Sequence, residues 1–422
     1  MKNLVAAAGL LAAGAAVLSG TSALSQSAAS ASPPATEKSA LSSDWREEQW
    51  VPEDFISVLG GGPAVGPTVE AGVGASALCG DKAGNLYLLS GNMFNIVTPA
   101  GVVHPLAGSG RGYKDGPAGD ALFDQGGEYN VARSIQCDAQ GNIYTAENGN
   151  HLVRWIFKDK DGKWMVDTVA GGGKRSLKDG ESCPPLEADL GGNIAVVAAE
   201  DGTLTIGGMW AGVFRLPPDR KALTKLGVWS AYRGRPAKGG APCLVNSDGD
   251  RLGNAYFFSR TPDLLYRVSR EGKIEHIGIQ PDLRAKRPGD GPPMEIYFDT
   301  GTSMAANPDG SCVYLCGGDE YDIRRVPTDL KTTTATLVCN GRWYIMPVHP
   351  GANRGKPDFD PALTGKSKNE GGPLSNLANC HINGRDYEGN LYGSIYQWVG
   401  ATQNIAGKGK LRTGIYRLRR GR

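Results

Sequence analysis

Short apolar runs rich in Val, Ile, Leu, Tyr and Phe alternate with clusters of Gly, Asn, Asp and Pro along most of this chain, a pattern that predicts β-strands joined by tight turns. One unit recurs: Gly or Asp, a turn residue, then an apolar residue and Tyr. It stands as Gly84-Asn85-Leu86-Tyr87, Gly141-Asn142-Ile143-Tyr144, Gly253-Asn254-Ala255-Tyr256, Gly310-Ser311-Cys312-Val313-Tyr314 and Gly389-Asn390-Leu391-Tyr392, with Asp201-Gly202-Thr203-Leu204-Thr205 as a variant. Gly and Asn tolerate the positive φ of a hairpin turn, and the residues that follow suit a strand, so each unit joins two antiparallel strands.

A third strand follows each unit, often with Arg among apolar residues: Val153-Arg154-Trp155-Ile156, Val213-Phe214-Arg215-Leu216, Tyr266-Arg267-Val268, Ile323-Arg324-Arg325-Val326 and Ile415-Tyr416-Arg417-Leu418; the first copy has Phe94-Asn95-Ile96-Val97. A fourth follows at 102–108, 166–171, 223–227, 274–278 and 334–339, but the chain ends before a sixth. The segment Phe55 to Gly60 resembles those fourth strands and precedes the first repeat. Closing the ring with it leaves no unpaired edge. The expected fold is therefore all-β, a six-bladed β-propeller whose N-terminal strand completes the last blade.

The repeats resemble the NHL family of propellers. The likeness lies in Leu106-Ala107-Gly108-Ser109-Gly110, Asp115-Gly116 and Ala121-Leu122-Phe123, followed by Cys137-Asp138-Ala139-Gln140-Gly141-Asn142-Ile143-Tyr144 and Glu147-Asn148-Gly149-Asn150-His151. Similar linkers recur at Ala170 to Gly173 with Asp179-Gly180, and at Pro288 to Gly291. The resemblance spans about residues 52–420 and implies the fold; propellers of this type include binding modules, lyases and hydrolases, so it implies no single activity.

Composition adds a compartment. Lys2, the apolar run Leu4 to Leu18 and Ala29-Ser30-Ala31 read as a signal peptide over 1–31, with a flexible linker at 32–51 before the propeller at 52–420. No later segment is apolar enough to span a membrane, and a secreted or periplasmic, monomeric protein is expected. The 8 cysteines fit an oxidising compartment, with connectivity left open, and their spacing matches no zinc or haem pattern. A net charge of +2 gives no reason to expect nucleic acid. The C-terminus, from Lys408 to Arg422, is locally basic.

Inter-blade connections and the hairpins between second and third strands share one face, where ligands are expected. Three function classes stay open there. A module binding an extracellular glycan or small polar ligand in the axial funnel would use Trp210, Tyr396 and Trp398 as stacking platforms, with Arg260 and His349 as polar contacts. A polysaccharide lyase would take its base from His381, His151 or Tyr129, with Arg133 clamping a uronate carboxylate. A lactonase-like hydrolase would hold a divalent cation, calcium for instance, through Glu147, Asn148 and Asp319, although no complete ligand set is evident. No cofactor is otherwise called for. His104 and His276 fall in outer strands and are expected to be exposed or structural.

Overall fold

The Gly-Asn turns are built around a residue the repeat pattern did not single out, an Asp four positions before each Asn. Asp81 accepts hydrogen bonds from Asn85 N, Asn85 Nδ2 and Tyr87 Oη, each at 2.8 Å. Asp138, Asp250 and Asp386 repeat this with Asn142 and Tyr144, Asn254 and Tyr256, and Asn390 and Tyr392. The intervening glycines take the positive φ the turn demands, +83° at Gly84 and +78° at Gly141. Each Asp thereby fixes the turn and the aromatic that opens the next strand. Burial, reinforced by the neighbouring carboxylate, pushes the phenols of Tyr87, Tyr144 and Tyr256 well above the ordinary tyrosine range.

A computed structural model of the chain describes residues 50–58, 66–67, 76–126, 134–229, 243–260, 264–278, 292–293, 301–317, 322–331, 335–338, 381–399 and 410–420, all within the unit Ala40–Arg422. They form an all-β propeller. A repeat is an antiparallel meander; the second runs Ile135–Cys137, Ile143–Glu147, Leu152–Lys158 and Trp164–Gly171. The innermost strands pack in cyclic order: Ala77–Gly80, Ile135–Cys137, Ala195–Ala198, Cys243–Gly249, Gly301–Ala306, His381–Arg385, then Ala77–Gly80 again. The N-terminal strand Trp50–Val58 pairs antiparallel with Lys410–Arg420, from Trp50 opposite Arg420 to Val58 opposite Thr413.

Six separate sheets were expected, and the described residues give five large ones, of nine, five, five, four and four strands, beside a two-stranded ribbon. The difference lies at one seam. Gly384 and Arg385 pair in parallel with Leu78 and Cys79, fusing the first and last meanders into the nine-stranded sheet. Gly384 permits this approach: its φ is +150°, and a Cβ there would lie 1.9 Å from the Leu78 carbonyl oxygen. Tyr396 and Trp398 belong to the strand Leu391–Val399, opposite Thr413 and Leu411.

The core lies between repeats rather than in one central mass. Tyr144, Ala146 and Val153 of the second pack on Val196, Ile206 and Phe214 of the third; Ala195, Val197 and Val213 of the third pack on Ala255, Phe257 and Tyr266 of the fourth. Each fully buried Val, Ile or Phe among them contributes about 1.5–3 kcal/mol. The second and third repeats are further braced by Arg220, which donates to Tyr144 Oη at 2.9 Å and stacks 3.4 Å over the Trp155 ring. A disulfide between Cys79 and Cys137 links the inner strands of the first two repeats.

Candidate functional site

The hairpin joining Ile143–Glu147 to Leu152–Lys158 turns on His151, a non-glycine residue held at φ +57°. Its Nδ1 lies 2.9 Å from the Gly191 carbonyl oxygen. A carbonyl only accepts, so Nδ1 carries the proton and, in the neutral ring, Nε2 keeps its lone pair. In the adjacent repeat, the hairpin at Met209-Trp210-Ala211 presents Trp210 with 63% of its surface exposed. Between the two hairpins runs Gly191-Gly192-Asn193. A Cβ on Gly192 would stand 3.7 Å from His151 Cε1 and 4.0 Å from Trp210 Cδ1, so the two rings flank this backbone with nothing but glycine between them.

The floor of that cleft is fixed from both sides. Asn148 grips the following residue, its Oδ1 accepting from Ile194 N and its Nδ2 donating to Ile194 O at 3.3 Å. From the other side, Met209 N donates to Gly192 O at 3.0 Å, and the buried Trp229 indole donates to Gly208 O at 2.9 Å. Asp189 Oδ1 accepts from Gly191 N at 2.9 Å. A rigid backbone carrying one exposed indole and one exposed imidazole is therefore ready before any ligand arrives.

Glu147 and Asn148 are placed otherwise than a cation site requires. Glu147 is fully buried: Oε1 accepts from Arg154 Nη1, while Oε2 accepts from Asp124 N at 2.9 Å and from Asn150 Nδ2. Arg154, also fully buried, further donates to Leu122 O at 3.1 Å and Lys114 O at 2.9 Å, and its Nη2 stands 2.6 Å from Asp115 Oδ1. Desolvation pushes the Glu147 carboxyl upward, against the pull of Arg154. These oxygens strap the connection 108–126 to the second repeat and do not fit a calcium shell. Among the described residues no three His, Cys, Asp or Glu side chains are grouped to hold a metal ion.

One cavity on the axis, at the end where the inner strands turn into the second strands, measures about 50 Å³, and side chains cross it. Gln136 Nε2 donates to Ser247 O at 3.3 Å, and Arg385 Nε donates to Asp248 Oδ2 at 3.0 Å. Among the described residues, His151 and Trp210 come together on the hairpin face between the second and third repeats, where the candidate site lies.

Of the other candidates, His381 opens the strand His381–Arg385 opposite Ser394, and Arg260 closes Ala255–Arg260 opposite Cys243. Tyr129, Arg133, Asp319 and His349 lie outside the described residues. His104 is exposed in Val102–Ala107, and His276 Nε2 lies 2.7 Å from Gly278 O. Sequence reasoning missed Gly191 and Gly192. The signal was a Gly-Gly-Asn run just before an inner strand, a place where bare backbone approaches something closely.

No protein-family model and no curated protein matches this sequence. Solved structures do. An auxiliary nutrient binding protein from Bacteroides thetaiotaomicron shares the fold, with a TM-score of 0.52 at 13% identity over 87% of this chain and 77% of that one. A second auxiliary nutrient binding protein, from Bacteroides ovatus, gives 0.45 at 13% identity over 71% and 68% of the two chains. A streptogramin B lyase gives 0.43 at 10% identity over 88% and 98%. At these identities the likeness concerns the fold alone. No helix among the described residues is long and apolar enough to cross a membrane.

Proposed function

We propose that this protein is an exported, NHL-type propeller that binds an extracellular polar ligand, a glycan foremost, on the hairpin face between its second and third repeats. One observation carries the reading: Trp210, 63% exposed, stands beside His151 across the bare backbone of Gly192. The apolar face of the exposed indole suits the C–H face of a pyranose, while imidazole and backbone groups meet hydroxyls. The nutrient-binding name of the fold-sharing Bacteroides protein is in keeping with it. In this reading residues 1–31 are the signal peptide, 32–51 a linker, the nine-stranded sheet works as two blades of a six-membered ring, and the mature protein is a monomer. The disulfide suits the periplasm or the exterior.

The test is a glycan array with wild-type protein, Trp210→Ala and His151→Ala, followed by calorimetry on any hit. Binding abolished by the first and weakened by the second supports the reading; binding indifferent to both overturns it.

A second reading, polysaccharide lyase, has its own support in the His151 tautomer, since an exposed Nε2 lone pair oriented by a carbonyl is the form a general base needs. In that reaction His151 would take the proton beside a uronate carboxylate, with Tyr129 and Arg133 as its partners. A rise in absorbance near 235 nm with anionic polysaccharides, lost in His151→Ala, would favour this reading over simple binding.

A further inference from the structure

At the end of the axis opposite the hairpins, residues from turns that no sheet joins meet one another. Glu200 follows the inner strand of the third repeat, Arg251 that of the fourth, and Tyr387 that of the sixth. Tyr387 Oη donates to Glu200 Oε1 at 2.8 Å, a contact between residues 187 apart in sequence. Arg251 Nε stands 3.5 Å from the same Glu200 oxygen, the Arg251 guanidinium lies 3.8 Å over the Tyr387 ring, and its Nη2 donates to the Tyr387 carbonyl. All three line the axial cavity, and so do Cys79 and Cys137, the partners of the disulfide.

We infer that Glu200, Arg251 and Tyr387 form a latch over the turn-side mouth of the axial cavity, which opens and closes without unfolding the ring and controls the access of small solutes and thiols to the Cys79–Cys137 disulfide. Two features separate a latch from a structural brace. The Glu200 and Arg251 side chains keep 40% and 35% of their surface exposed, so solvent competes for the ion pair and it is weak. The three repeats are held independently by their own strand ladders and inter-repeat cores, so the latch can part while the sheets remain. The Arg385–Asp248 pair lines the same cavity as the disulfide.

The experiment is reduction of the folded, full-length protein by dithiothreitol. Its thiolate attacks one sulfur to form a mixed disulfide, and its second thiol then displaces the protein sulfur; the two electrons and two protons lost as it becomes a cyclic disulfide appear on Cys79 and Cys137 as thiols. Both are alkylated and counted by mass spectrometry over time, and urea midpoints are measured in parallel. Tyr387→Ala, which removes both hydrogen bond and stack, is expected to raise the reduction rate about tenfold at an unchanged midpoint. Tyr387→Phe, which keeps the stack, should raise it less. Trp210→Ala, on the opposite face, should leave it as in the wild type. Wild-type rates in both Tyr387 variants, acceleration that only tracks a lowered midpoint, or equal acceleration in Trp210→Ala would each overturn the inference.

Discussion

Arg154→Met tests whether the buried Arg154–Glu147 pair holds the connection 108–126 in place. The methionine fills most of the aliphatic volume above Phe123, whose ring lies 4.9 Å from the guanidinium, but leaves Glu147 fully buried with only Asp124 N and Asn150 Nδ2 as donors. The Leu122 and Lys114 carbonyls lose their partner as well. Removing one member of a buried ion pair costs about 3–5 kcal/mol. Asp115, a third exposed, admits some water, which places the expectation near the lower bound, about 3 kcal/mol. Glu147→Gln keeps the shape and should cost about 1–3 kcal/mol. Because the two residues touch, the double variant should lose about 1–2 kcal/mol less than the sum of the singles.

The deficit should also depend on pH, with a defined sign. Burial already raises the Glu147 carboxyl above its unfolded value near 4.5, and loss of Arg154 removes the main opposing influence. An acid whose folded pKa is raised holds more protons folded than unfolded, so stability falls as pH rises from the unfolded value through the folded one. Arg154→Met should therefore be least damaged near pH 5 and most damaged above pH 7. Urea unfolding followed by tryptophan fluorescence at both pH values measures this. A loss under about 1 kcal/mol, or an equal loss at both, would refute the argument.

Three further outcomes are expected. Trp210→Ala should leave the urea midpoint within the equivalent of about 0.5 kcal/mol while weakening any ligand at this site about tenfold or more, read by calorimetry. Replacing Cys79 and Cys137 together by Ser frees a loop of 58 residues, and chain entropy puts the loss at about 4 kcal/mol in the thermal transition. Tyr87, Tyr144, Tyr256 and Tyr266 are all raised by burial, so each keeps its proton in the fold; phenolate absorbance should show these side chains ionising only on alkaline unfolding, as stability declines above the unfolded tyrosine value of 10.0.

The repeat, the strand order within it and the strand that closes the ring were legible in the sequence because each rests on local information. A Gly-Asn turn demands positive φ where it stands, alternation decides which side chains are buried, and the count of third and fourth strands shows which terminus lends the missing one. The Asp of each Gly-Asn turn is equally local, four residues before its Asn, but it lies outside the Gly-Asn-apolar-Tyr unit that marks the repeat. Other features depend on neighbours far along the chain. That Glu147 meets a buried Arg154 rather than a cation follows from where the connection 108–126 docks, and that the axis is crossed by Gln136 and Arg385 follows from how closely the inner strands approach. His151 and Trp210 come from different repeats, 59 positions apart in the numbering, and only inter-repeat packing puts a bare glycine backbone between them. The sequence by itself determined the period and its turns, since those are set by backbone conformation residue by residue. The tertiary structure alone decided the fused seam at Gly384, the cleft at Gly192 and the latch at Glu200, because each is a contact whose partners are chosen by the closing of the ring.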